Sequence, residues 1–350
     1  MKTPKQVKND LKNYDGEKIK IMEVCGTHTS SIFKNGIRSL ISPKIELISG
    51  PGCPVCVTSC AYIDRLVEYS FKENYCILTF GDMMKVKGSR MSLTEAKAQG
   101  GNVKIMYSPH LAIKEVEENP HIQFVMSAVG FETTTPIYAL IMDEAIEKCL
   151  KNFKLLTALK TIMPALEFIC ETENGIDAFL CPGHVSVIIG SSIYGSLVKK
   201  YKKPFVIGGF EGEHILAAIY EIVNQIKHKQ YKLKNMYTSV VSNDGNKKAL
   251  QIVGKYFETS DEYWRGIGKI KNSGLRLKAD YNSFDAGSDI KELNEDIPSG
   301  CRCSDVILGR ISPKECPLFR KICNPLNAVG PCMVSSEGAC GIWFNNTRID

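Results

Sequence analysis

No stretch of this chain approaches the roughly 20 consecutive apolar residues that span a bilayer, and Met1 to Glu17 is polar, with no apolar leader core. A membrane partner is therefore not expected, and the chain reads as cytoplasmic. Arginine-rich arms and aromatic RNA-binding signatures are also missing. The 44 Lys+Arg against 38 Asp+Glu leave +6, spread through segments such as Lys199, Lys200, Lys202 and Lys203, which reads as solvated surface and not as a nucleic-acid site. No phosphate-loop lysine and no complete G-x-G-x-x-G follows a predicted strand, so a nucleotide site has no support. Histidine is scarce: there are six, none after His228, so a metal site beyond that point would have no imidazole ligand. What the chain does have is cysteine, fourteen in all. A reducing compartment does not keep structural disulfides, which turns the expectation toward metal or redox use.

The length of 350 residues allows two compact domains and a small appendage. Ile- and Val-rich runs that end in Gly- or Pro-bearing turns, followed by helical patterns, read as βα units of parallel sheets. The runs are Lys20–Val24, Ile45–Ile48, Cys76–Phe80, Val103–Met106, Phe124–Val129, Lys154–Leu159, Ala178–Leu180, Phe205–Ile207 and Tyr237–Val241. The fold class expected is α/β. A break near Glu117–Pro120 divides the strands into two facing parallel-sheet lobes, residues 1–118 and 119–272. From Asn272 the periodicity fades into a polar connector, and residues 273–350 form that connector and a C-terminal cysteine domain. Four strand ends, "ISGPGCPVC", "SAVGFETTTP", "LCPGHVSVIIG" and "VIGGFEGEHIL", set Gly beside reactive or polar residues. Such ends line the ligand crevice of open α/β sheets, so a shared cleft is the expected site.

Six cysteines crowd the tail: Cys301, Cys303, Cys316, Cys323, Cys332 and Cys340. A segment this short cannot bury a useful core, so something must staple it. Four thiolates suit an iron–sulfur cluster and also zinc, and plain disulfides are a third possibility. Six thiols leave two over, which is what an electron relay to a disulfide needs. Cys301 and Cys303 alternate across an extended backbone and point opposite ways, so one faces the metal site and the other does not.

Near the N-terminus, Cys53-Pro54-Val55-Cys56 follows Gly50-Pro51-Gly52 and is expected to open a helix. Unpaired amides and the positive end of the helix dipole there stabilise thiolate, for redox or metal binding. Cys60 falls one turn later, on the helix face. In "IMEVCGTHTSSIF" a strand ends at Val24 and Cys25 to Thr29 start a helix that Thr27 or Thr29 can cap. If the two strands are neighbours, Cys25, Cys53 and Cys56 make a three-thiolate site for a soft iron. His28 is then a fourth ligand, a proton carrier or a hydrogen-bonded structural residue. Cys76, Cys149, Cys170 and Cys181 read as core. Glu132 with Thr133, Thr134 and Thr135, then His184, then Glu211 with His214, offer proton chemistry at strand ends. Helix capping and exposed acids are the plainer alternative.

Taken in order, "MEVCGTHT", "GPGCPVC", "GFETTTP", "PGHVS" and the tail "CRC…EC…C…VGPCMVSSEGAC" resemble the HypD family of [NiFe]-hydrogenase maturation proteins from about Met22 to Cys340. The resemblance implies two α/β lobes and a small [4Fe-4S] iron–sulfur domain. It also implies a scaffold on which an iron acquires cyanide and carbon monoxide, as the Fe(CN)2CO group, before delivery to the hydrogenase large subunit. Partners implied are a HypC-type chaperone and a HypE-type cyanide donor, with HypF upstream. By the same resemblance Cys25 is the main iron contact, shared with a HypC thiolate, and Cys53 and Cys56 are redox or secondary iron thiols. Glu132 and His184 would orient or protonate the incoming group. The tail further resembles ferredoxin–thioredoxin reductase, where one cysteine of a C-x-C ligates the cluster. That likeness implies Cys301, Cys316, Cys323 and Cys340 as ligands, with Cys303 and Cys332 as the redox pair. A free-standing iron–sulfur disulfide reductase and a zinc-stapled binding protein are the rival readings.

Overall fold

In the computed structural model, which describes residues 2–290 and 298–347, eleven strands form two sheets. The strands are β1 Ile19–Glu23, β2 Ile45–Ser49, β3 Tyr75–Thr79, β4 Val103–Ile105, β5 Gln123–Gly130, β6 Phe153–Lys160, β7 Ala178–Cys181, β8 Phe205–Ile207, β9 Leu233–Asn235, β10 Phe257–Trp264 and β11 Gly268–Leu277. The class is mixed α/β, with parallel pairing dominant in both sheets.

The first compact unit is Met1–Cys53, Leu166–Lys247 and Gly300–Asp350. Its sheet runs β2-β1-β7-β8-β9, parallel throughout. Helices cover both faces of such a sheet, so its strands read as near-continuous apolar runs. Ile19, Ile21, Leu47, Ala178, Leu180 and Val206 pack against Ile32, Ile215, Ala218, Ile219 and Ile222 from the helices Gly26–Lys34 and Gly212–Lys227. The cysteine-rich tail packs within this unit as short helices, Cys303–Ile307, Pro331–Val334 and Ala339–Asn346, joined by turns.

The second unit is Pro54–Ala165 and Lys248–Ser299. Its sheet, β10-β11-β6-β5-β3-β4, is parallel from β4 to β6 and closes with an antiparallel hairpin. Phe124, Met126, Ala128, Leu155 and Leu159 from the strands meet Ile113, Val116, Tyr138, Ile141 and Met142 from the helices. Ser92 and Glu95 form a capping box that starts the helix Leu93–Ala98, and Ser59 caps the helix Cys60–Ser70.

Eight of the nine expected strands lie where the apolar runs place them. Their grouping differs, because β1 and β2 share a sheet with β7 and β8, joined by the β1–β7 pair, and not with β3 and β4. Glu117–Pro120 is not a domain break: the helix Pro109–Glu118 stops there and the chain enters β5 of the same sheet. Tyr237–Val241 is a turn, with the Tyr237 carbonyl accepting from Val241 N at 2.8 Å; the strand is Leu233–Asn235. Asn235 ends it by accepting from Tyr237 N and donating to the Val241 carbonyl. The hairpin β10–β11 occupies part of the supposed polar connector. Its outer strand is an edge with only Phe257 and Trp264 buried, which hides it from a search for apolar runs. Positions 291–297 of that connector lie outside the described residues.

Asn152 holds the turn between the helix Pro109–Glu118 and β5. It is buried, and Nδ2 faces the carbonyls of Val116, Asn119 and Ile122 at 3.1, 3.2 and 3.1 Å. Asn152→Ala strands those acceptors and is expected to cost about 1–3 kcal/mol in urea unfolding. An unchanged midpoint would show that the carbonyls find other donors.

Candidate thiol site

Parallel register decides where the first thiols go. Ile19 to Glu23 align with Ile45 to Ser49, and β7 joins at Ile21↔Ala178, so three strands finish at one edge. Beyond that edge come Cys25, the Gly50–Cys53 loop and the Pro182–His184 turn. Sheet order also reverses between β1 and β7, the type of position at which open α/β sheets bind ligands. The loop is seated by close backbone approach: a Cβ on Gly52 would lie 2.5 Å from Gly26 N and 2.8 Å from Cys25 Cα.

Cys25 itself occupies the N-cap of the helix Gly26–Lys34, in place of the capping threonine expected. Burial raises its thiol pKa. The amides of Thr27 and His28 and the Thr27 hydroxyl, turned toward the sulfur, oppose that rise, while the charge of Glu337 adds to it. Thr29 instead bonds the Cys25 carbonyl through its hydroxyl, at 3.4 Å.

Cys53 and Cys56 are buried. The helix expected to open at Cys53 does not begin there. Val55–Val57 forms a single 3-10 turn, Thr58 is extended, and the α-helix starts at Cys60 after the Ser59 cap. Cys60 therefore occupies the first helical position. The boundary between the two units falls between Cys53 and Pro54. Among the described residues no three His, Cys, Asp or Glu side chains gather as they would around a single metal ion. Of the four cysteines assigned to the core, Cys76, Cys170 and Cys181 are buried, but Cys149 is exposed, in the left-handed backbone position after the helix Thr135–Glu147.

In the tail, Cys301, Cys316, Cys323 and Cys340 line one small cavity, whose other walls include Leu318, Phe319, Gly330 and Met333. Cys303 and Cys332, which line the same cavity, are joined as a disulfide with Cα atoms 6.3 Å apart. Burial, followed by the charges of Cys316, Cys301 and Cys323, pushes the Cys340 thiol far above its ordinary value. Four thiolates so placed repel one another, and a cationic metal centre would relieve that repulsion. The donor set is all sulfur in apolar walls, with Val329 N donating to Cys323 Sγ at 3.4 Å. These residues fit an iron–sulfur cluster on that chemistry.

The tail also touches the Cys25 turn. A Cβ on Gly26 would lie 2.4 Å from the Glu337 carbonyl oxygen, and one on Gly338 would lie 2.2 Å from the Cys332 carbonyl oxygen. The turn Ser335–Gly338 thus runs from the disulfide to the start of the Cys25 helix. Glu337, within "SSEGAC", is a contact absent from the expectations drawn from the sequence. The compactness of Ser-Glu-Gly just before a cysteine was the available signal.

A family profile described as hydrogenase formation hypA family, HypD, matches residues 2–347. The chain belongs to the HypD family. It is similar to the hydrogenase maturation factor HypD of Escherichia coli, 41% identical over 337 residues, or 95% of this chain and 90% of that protein. A putative hydrogenase expression/formation protein of Methanocaldococcus jannaschii is 42% identical over 335 residues, covering 95% and 93%. The HypD of Cupriavidus necator is 36% identical over 344 residues, covering 95% and 91%.

The titratable groups of this HypD chain fall into two sets. In the first unit His28 is fully buried, with Nε2 3.3 Å from the carbonyl oxygens of both Gly208 and Gly209. Two acceptors make Nε2 the protonated nitrogen, and burial lowers the pKa to about 4. His28 is thus a neutral, hydrogen-bonded residue, with Nδ1 buried and without a partner. Phe210, which sequence reasoning passed over, has its ring centre 4.6 Å from that of His28 and 4.1 Å from that of His184. One face of His184 stays exposed, and partial burial against Phe210 lowers its pKa.

Glu132 belongs to the second unit and is buried, not exposed. Its Oε1 accepts from Ile162 N at 2.8 Å, at the start of the helix Ile162–Thr172, and Oε2 has no partner. Burial raises its pKa to about 7. Lys160, also unanticipated, is buried 3.7 Å from Glu262.

The two shifts have opposite signs. Folded Glu132 binds a proton that the unfolded carboxyl has lost between pH 4.5 and about 7, so its stabilising term is present below 4.5 and lost as pH rises through about 7. His28 contributes above its ordinary 6.5 and loses that contribution as pH falls toward about 4. Glu132→Gln removes the first effect alone. Its stability relative to the parent should rise by up to about 3 kcal/mol between pH 4.5 and 8 in thermal or urea melts. A pH-independent difference would refute the buried acid.

Proposed function

We propose that this chain is a hydrogenase maturation factor, the scaffold on which the Fe(CN)2CO group of a [NiFe] hydrogenase is assembled together with a HypC-type chaperone and a HypE-type cyanide donor. One observation carries the reading: the Ser335–Gly338 turn links the Cys332 end of the disulfide to the Cys25 helix within one compact unit. A sulfur group able to hold electrons is thereby tied to a sulfur able to hold iron.

In this reading iron is the cargo. Cys25, half-buried at a sheet edge, binds it, with Cys53 of the same unit as a further thiol. The opposed effects on Cys25 suit that task, since burial keeps the resting thiol protonated while the amides of the first turn favour thiolate once a cation arrives. Cys301, Cys316, Cys323 and Cys340 would hold a [4Fe-4S] cluster, which when bound supplies single electrons beside the Cys303–Cys332 pair. Reduced, that pair is a two-electron store. Cyanide delivered as a thiocyanate on the donor's cysteine is released when the S–CN bond takes two electrons. Two thiols become one disulfide, and their two protons pass to the donor thiolate and to cyanide, so the exchange balances. His184, with one face open to solvent, is placed to move a proton at this edge.

Cys25→Ala should abolish the infrared cyanide bands of the anaerobic complex with the HypC-type chaperone, while Cys301→Ala should remove visible iron–sulfur absorbance and lower iron per chain. Retention of the cyanide bands in the first variant, or of full absorbance in the second, would overturn the respective assignment. Catalytic reduction of an outside disulfide without either partner would favour the rival reading of a free-standing reductase.

A further inference from the structure

The strands that deliver Cys25 and Cys53 share one cation. Arg38 donates from Nη2 to Glu23 Oε1 at 2.8 Å and from Nη1 to the Leu47 carbonyl at 2.6 Å, which ties β1 to β2. The Glu23 side chain is completely buried. The guanidinium carbon also lies 4.9 Å from the Trp343 ring centre and 5.2 Å from that of Phe33, and those two rings meet edge-on at 5.0 Å. Trp343 stands three residues after Cys340 on the helix Ala339–Asn346, and Phe33 belongs to the helix that follows Cys25. One planar, permanently charged group therefore touches both strands that lead to the thiols and the thiol-bearing tail. An ammonium could not pair, bridge and stack in this way.

As a stability device the arrangement is poor. Glu23 Oε2, Arg38 Nε and Trp343 Nε1 are all buried without a hydrogen-bond partner. A buried ion pair left partly unsatisfied gives little net stabilisation, and registry is the better-attested use of such pairs.

We propose that Arg38 is a positioning residue that registers the cysteine tail on the Cys25 edge. By holding the Trp343 helix against β1 and β2, it keeps the Ser335–Gly338 turn, and with it the Cys332 end of the disulfide, seated on Gly26. The functional part of this inference rests on the reading that the tail serves Cys25.

The test uses the full chain and two variants, Arg38→Lys and the double variant Arg38→Met with Glu23→Gln, which removes both charges together. Iodoacetamide alkylation of Cys25 is followed by peptide mapping, with the Cys303–Cys332 disulfide intact and after dithiothreitol has opened it with two electrons and two protons. Hydrogen exchange over residues 339–346 is measured alongside. The parent should show Cys25 rates that differ by about fivefold or more between the two redox states. In both variants that ratio should fall to about one, and exchange over 339–346 should quicken about tenfold while β7 and β8 keep their protection. Restoration of parental behaviour by the double variant would overturn the proposal, because Arg38 would then serve only to neutralise Glu23. A parental ratio of one would refute the coupling of tail to Cys25. Exchange over 339–346 would then decide the positioning role by itself, quickened exchange supporting it and unchanged exchange overturning it.

Discussion

The structure depends most on the parallel, in-register pairing of β1 with β2 on one side and β7 on the other. Parallel strands must all point the same way, so every loop that leaves a C-terminal end emerges at one edge of the sheet. The Cys25 turn, the Gly50–Cys53 loop and the His184 turn meet there because Glu23 lies opposite Ser49 and Leu180. A slip of one residue would turn every side chain of a strand to the other face and bury polar groups in the core. The apolar runs thus hold the chemistry in place without taking part in it.

Upon that edge the molecule sets charge against burial. Cys25 and Cys340 are both pushed toward the protonated thiol by burial, yet their surroundings differ. At Cys25 the amides of a helix start offer partial positive charge. At Cys340 the neighbours are other sulfurs, which oppose ionisation further. The first environment suits a thiol that meets a cation singly and the second suits four that must meet one together. Gly26 allows the two environments to approach, since the Glu337 carbonyl lies where a side chain would otherwise stand.

Much of this was legible along the chain. Ile- and Val-rich runs revealed eight strands, and strand-end glycines pointed to the edge that matters. The six clustered cysteines marked the tail as a unit needing sulfur chemistry. Elements with weak apolar signals were harder to read. The hairpin Phe257–Leu277 buries only Phe257 and Trp264 of its outer strand and so shows no apolar run. The Cys53 turn was mistaken for a helix start because Pro54 is compatible with one. Ser59, whose hydroxyl accepts from Tyr62 N, supplies the actual cap. Buried Glu132 and Lys160 were invisible as buried groups, since a charged residue in a sequence carries no mark of depth.

What the amino-acid sequence by itself determined was composition and local preference: α/β units, soft sulfur donors, no apolar run long enough for a membrane-spanning helix, and membership of the HypD family. Those follow from side-chain chemistry and spacing, which act over a few residues. Only tertiary structure decided which strands pair across long stretches of chain, which histidine is buried, and that Trp343 meets Arg38. These depend on contacts between residues far apart in the chain, whose closure entropy is recovered only when a complete core forms around them.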